Sequence, residues 1–133
     1  MRDRNNPLKN IPPQAFTVIQ ASHEDFHKDQ ADIPVRYPVG QITYINNHQF
    51  VPLIKFREEH QDRLIYLEIH TLHDLLAVIE IDNSAILIIE YKVTWFGVDK
   101  PEDRELFKDV CKKRAKQGGP VIVITAIMDR GLL

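Results

Sequence analysis

The stretch DLLAVIEIDNSAILIIEYKV, residues 74–93, decides which fold the sequence predicts. Two runs rich in branched aliphatic residues flank Asp82-Asn83-Ser84, residue types that favour turns. The stretch therefore predicts a hairpin over about residues 74–93 with a three-residue loop. In this register one face of the hairpin is entirely apolar or aromatic, comprising Leu75, Ala77, Ile79, Ile81, Ala85, Leu87, Ile89 and Tyr91. A two-residue loop would place Glu90 and Lys92 on that face, because a shift of one residue exchanges the two faces of a strand.

The opposite face of the predicted hairpin carries three charged residues near its open end. Asp74 comes directly across from Lys92 and diagonal to Glu90, within the roughly 4.5 to 8 Å that separates cross-strand neighbours. Two carboxylates at this separation can share a divalent cation such as Mg²⁺, which prefers oxygen ligands. A neighbouring ammonium can orient or activate the water that attacks a phosphate. The pattern therefore predicts a metal site at Asp74 and Glu90.

With the helix and strand that follow, these residues resemble the PD-(D/E)xK nuclease superfamily. The core of that family is an acid at the start of one strand, Glu-x-Lys on the next strand, a helix and a further strand. The resemblance covers about residues 72–126. It implies that Asp74 and Glu90 are metal ligands, that Lys92 is the catalytic lysine, and that the protein cleaves DNA phosphodiesters with Mg²⁺ or Mn²⁺.

Two other interpretations of the same residues stay open. Glu90 and Lys92 can mark the place where a strand leaves the core, as a charge pair worth about 0 to 1 kcal/mol in a non-catalytic binding or assembly protein. Alternatively, Thr71-Leu72-His73-Asp74 can begin a helix through Ile79 in the manner of a capping box, which would remove Asp74 from the strand. The β-branched residues of the run favour the hairpin, which we take as the prediction.

Residues 101–126 predict a helix followed by a strand. Pro101 suits the first turn, acidic residues follow it, and Gly118-Gly119 ends the helix. An apolar stripe should pack on the sheet, formed by Leu106, Phe107, Val110 and Cys111. The apolar run PVIVITA, residues 120–126, is typical of a buried strand. A helix over about 101–117 that crosses to a strand over about 120–126 implies a parallel connection.

The last turns of this helix contain a basic cluster that is a candidate nucleic-acid-binding site. Its members are Lys112, Lys113, Arg114 and Lys116. They could contact successive phosphates of DNA. The favourable interaction of cations with the carboxyl end of a helix explains the same residues equally well.

A second motif is HEDFH, residues 23–27, which matches the His-Glu-x-x-His pattern of zinc metallopeptidases. On a helix, His23 and His27 would offer two nitrogens to Zn²⁺, and Glu24 would act as the general base. Only 22 residues precede the motif, and it is polar almost throughout. A solvated surface helix is therefore the preferred interpretation, and a zinc-dependent hydrolase is the lesser alternative.

The whole chain predicts one α+β domain with a mixed β-sheet. Its 133 residues, 44% of them hydrophobic, are enough to bury a single core. Residues 1–14 lack any period and predict a flexible N-terminal arm, which leaves residues 15–133 as the domain. Short N-terminal strands at Phe16–Gln20, within 35–56 and over 63–72 are expected to be antiparallel. They would join the hairpin and the C-terminal strand in one sheet.

Charge and cysteine content bound the possible partners and setting. A formal net charge of −2 gives no general basic field, so a DNA partner would need a local patch. The single Cys111 and the lack of a secretory-type leader favour a reducing, cytoplasmic setting. No run reaches the roughly 18 apolar residues of a membrane span. A homo-oligomer, such as a homodimer, is expected.

Overall fold

The computed structural model of the protein describes residues 15–20, 40–45, 64–96 and 101–125. The predicted arm over residues 1–14 and the motif over residues 23–27 lie outside these ranges. The described elements, in chain order, are β1 (Phe16–Gln20), β2 (Ile42–Ile45), β3 (Leu64–Leu67), α1 (Leu72–Ile81), β4 (Ile86–Glu90), α2 (Pro101–Gly118) and β5 (Val121–Thr125). A short 3-10 turn, Val93–Trp95, follows β4.

The described strands form one sheet in the order β1-β5-β4-β2-β3, and every neighbouring pair is parallel. The prediction of helices combined with one β-sheet is confirmed. The predicted antiparallel pairing of the N-terminal strands is wrong, because β2 pairs in parallel with both β3 and β4. Parallel strands are usually buried on both faces, and all residues of β2, β4 and β5 are buried.

The predicted hairpin is wrong, because its first half forms α1. The Thr71 hydroxyl accepts a hydrogen bond from the backbone N–H of Asp74 at 3.2 Å and so caps the helix. The apolar residues of this run also recur at helical spacing, at Leu72, Leu75, Leu76 and Ile79. Two of them, Leu75 and Ile79, are buried. The alternative helix start at Thr71 is therefore confirmed, and the cap together with the buried apolar face outweighs the β-branched residues.

Both helices pack on the same face of the sheet. The buried cluster on this face combines Leu75 and Ile79 of α1 with Phe107 and Cys111 of α2 and with alternate strand residues such as Leu87. The cluster on the other face contains no residue of either helix and consists of Ile19, Ile42, Tyr44, Leu64, Ile86, Ile88, Ile122 and Ile124. The alternation of strand residues therefore divides the core into two layers, one on each face of the sheet.

The helix and strand predicted in the C-terminal half are confirmed as α2 and β5. Phe107 and Cys111 of the predicted stripe are buried, but Leu106 is 48% exposed, and the buried face continues to Ala115 instead. Gly119 has a positive φ of 148°, and a Cβ at this position would collide with the carbonyl oxygen of Ala85. Glycine therefore allows α2 to end in close contact with the start of β4.

Phe107 provides the test of how α2 packs. Its ring meets those of Phe16 and Phe96 edge-on, with centroids 6.5 and 5.6 Å apart. We expect Phe107→Ala to lower the free energy of unfolding by about 3 to 5 kcal/mol, because it leaves a cavity against the sheet. Leu106→Ala, at the exposed neighbour, should cost about 1 kcal/mol or less. Urea denaturation measures both, and equal losses would contradict this packing.

Candidate functional site

The strand order identifies one edge of the sheet as the candidate site. From β2 the chain continues to its neighbour β3 on one side, whereas from β4 it continues to its neighbour β5 on the other side. The two strands β2 and β4 are themselves adjacent and parallel. In open parallel sheets, ligands bind beyond the carboxyl ends of two strands whose connections diverge in this way. The carboxyl edge between β2 and β4, called the switch edge below, is therefore the place where the fold favours a ligand.

Glu90, the last residue of β4, places a buried carboxyl group at the switch edge. Its side chain shares a sheet face with Ile86 and Ile88, because alternate residues of a strand point the same way. The hydroxyl of Tyr44, on β2, donates a hydrogen bond to Glu90 Oε2. Both side chains are buried, Glu90 being only 1% exposed. Tyr44 is paired in register with Ile88, so its ring reaches along the sheet toward the edge. The hydrogen bond fixes the orientation of the carboxyl group.

Asp74 does not share a strand face with Glu90. It lies in the first turn of α1 and is exposed. That helix packs on the sheet face opposite to the one that carries Glu90. The predicted strand face that would place the two carboxylates beside each other is therefore wrong. Within the described ranges, no group of three or more His, Cys, Asp or Glu side chains could hold a metal ion.

The segment after β4 folds back at the switch edge. Lys92 is half-buried, and its carbonyl accepts a hydrogen bond from the N–H of Trp95 at 3.1 Å. The Trp95 indole is buried and donates to the carbonyl of Ile69 at 3.0 Å. Phe96 stacks on Tyr91 with the ring centroids 5.5 Å apart. These contacts bury the tryptophan in the cluster on the helix-covered face of the sheet. The catalytic roles of Glu90 and Lys92 stay predictions.

Arg114, predicted to bind nucleic acid, is instead a buried residue of α2. It is 4% exposed, and its Nη2 lies 2.6 Å from Asp82 Oδ2. Its guanidinium also donates to the carbonyl oxygens of Ser84 at 2.8 Å and Gly119 at 3.2 Å. Its assignment to a phosphate-binding surface is therefore wrong. The other members of the predicted cluster are exposed, and their role stays a prediction: Lys112, Lys113 and Lys116.

Asp82 connects this ion pair to the rest of the sheet. It caps the carboxyl end of α1, and its Oδ1 accepts a hydrogen bond from the Thr43 hydroxyl of β2 at 2.7 Å. Its Oδ2 accepts from the Ser84 hydroxyl at 2.7 Å. A side chain at Gly118 would meet the guanidinium of Arg114, with a Cβ only 2.8 Å from Nη1. The Asp82–Arg114 cluster, formed with Thr43 and Ser84, therefore ties both helices to the amino edge of the sheet.

Cys111 lies one helical turn before Arg114 and is also buried. Burial raises the pKa of its thiol far above the usual range, and the nearby Arg114 charge lowers it by less. The thiolate, rather than the thiol, is the nucleophile and the metal ligand. Cys111 therefore serves as an apolar core residue.

The alternative zinc site, His23, Glu24 and His27, lies outside the described residues. His70 and His73, within the described ranges, are exposed. The structure therefore gives no geometry for the zinc-dependent hydrolase alternative.

The sequence patterns did not identify Tyr44 or Asp82 as site residues. One signal for Asp82 was present, because Arg114 follows Phe107 and Cys111 at helical spacing and so falls on the buried face of α2. A charged residue on a buried helix face predicts a buried partner. No comparable signal exists for Tyr44, which sits inside an apolar strand.

Two comparisons of the sequence with known proteins were negative. No family model matches the chain. A search of curated proteins also found no similar sequence. Of the two described helices, neither is long and apolar enough to cross a lipid bilayer. Functional inference therefore rests on the geometry of the switch edge.

Breaking the buried ion pair should destabilise the fold strongly. We expect Asp82→Ala to lower the free energy of unfolding by about 3 to 5 kcal/mol, because the Arg114 charge is left in the core without its partner. The same change in an Arg114→Met background should cost much less. Asp74→Ala, at an exposed acid in a first helical turn, should cost about 0.3 to 1 kcal/mol. Chemical denaturation of all the variants gives the coupling energy, and strictly additive losses would contradict the ion pair.

Proposed function

We propose that this protein is a non-catalytic binding protein that holds a small polar molecule at the switch edge. The observation that carries the proposal is the buried pair of Glu90 and Tyr44, located where the connections from β2 and β4 diverge. Parallel sheets with this feature bind ligands there. The Asp82–Arg114 cluster lies at the opposite edge of the sheet, so the two clusters of polar side chains are separate.

The chemistry of the pair indicates what kind of ligand it accepts. An ionised carboxylate only accepts hydrogen bonds, and the Tyr44 hydroxyl already donates to one of its oxygens. A complementary ligand must therefore bring N–H or O–H donors. Guanidinium and amino groups form the strongest such bonds, since they are charged as well as donors. Because Glu90 is buried, the ligand reaches it only where the edge opens, and the affinity includes the cost of that opening.

A second candidate function is the divalent-metal-dependent nuclease. One observation favours it, namely that Glu90 and Lys92 both lie at the carboxyl end of β4, the edge where ligands bind. In this proposal Glu90 is a ligand of Mg²⁺ or Mn²⁺, Lys92 is the catalytic lysine, and DNA is the substrate. Asp74 lies on α1 and would have to be replaced by another oxygen ligand. The binding proposal takes precedence because it uses the groups as they are placed.

A cytoplasmic setting and a homo-oligomeric state complete the proposal. Both come from the sequence, and neither is needed for the pair of Glu90 and Tyr44 to bind a ligand. Light scattering of the purified chain measures the oligomeric state directly.

Isothermal titration calorimetry measures ligand binding at the switch edge. We expect agmatine, a guanidinium compound, to bind in a saturable way at millimolar concentration. Glu90→Gln should weaken this binding by about tenfold or more, because the ligand loses a charged acceptor. Tyr44→Phe should weaken it less. Glu68→Gln removes an exposed carboxylate just past β3 and serves as the control. An unsaturable response, or an equal loss with the control, would refute the binding proposal.

The nuclease candidate makes a different prediction for metal. If it holds, calorimetry should detect Mn²⁺ binding that Glu90→Ala weakens, because a ligand is removed. Lys92→Ala should leave Mn²⁺ bound while plasmid nicking slows by about 10² or more, as expected for the loss of a positioned catalytic group. If the protein is a binding protein, wild type binds no Mn²⁺ at millimolar concentration and nicks DNA no faster than either variant.

A further inference from the structure

We draw no further inference here: the strongest candidate, the exposed surface stripe of Glu105, Asp109, Lys112 and Lys116 along α2, carries nothing, because charged side chains are the ordinary composition of a solvated helix face and nothing in the structure shows what covers this one.

Discussion

The buried ion pair between Asp82 and Arg114 is the interaction on which the described fold depends most. It joins the carboxyl end of α1 to α2, and through the Thr43 and Ser84 hydroxyls it reaches β2 and the start of β4. Burying either charge alone is costly, so each side chain requires the other. Before each new parallel strand begins, the connecting helix must return the chain to the same edge of the sheet. The ion pair holds the carboxyl ends of α1 and α2 at that edge, the amino edge.

The sequence predicted the C-terminal half well because its signals are local. Pro101, the acidic first turn, the apolar stripe and the two glycines all act within one helix. The run over residues 74–81 was harder, because its apolar residues satisfy the alternation of a strand and also the spacing of a helix. The Thr71 cap and the buried positions of Leu75 and Ile79 decide for the helix. Whether a run of branched residues becomes a strand or a helix depends on its tertiary contacts.

The candidate site was only half predictable, since its partners are distant in sequence. Glu90 stands out at the end of an apolar strand, but Tyr44 lies 46 residues earlier, on a strand that pairs in parallel. Parallel pairing leaves no short spacing that a sequence pattern can detect. Asp82 and Arg114 are 32 residues apart, yet Arg114 could have been recognised by its place on the apolar face of α2. A contact between residues far apart in sequence thus leaves no local pattern that identifies the partner. A charged residue on the apolar face of a helix, in contrast, indicates that a buried partner exists.

The geometry of Glu90 also bears on the choice between a binding site and a metal site. The Tyr44 hydroxyl points its proton at Oε2 of that carboxyl group. Carboxylates that bind a metal commonly accept such a hydrogen bond as well, so this bond alone is compatible with either kind of ligand. Mg²⁺, however, demands a near-octahedral set of oxygen ligands, and no group of three or more Asp, Glu, His or Cys side chains within the described ranges could supply it. A ligand with N–H donors instead complements the carboxylate in the orientation in which Tyr44 holds it.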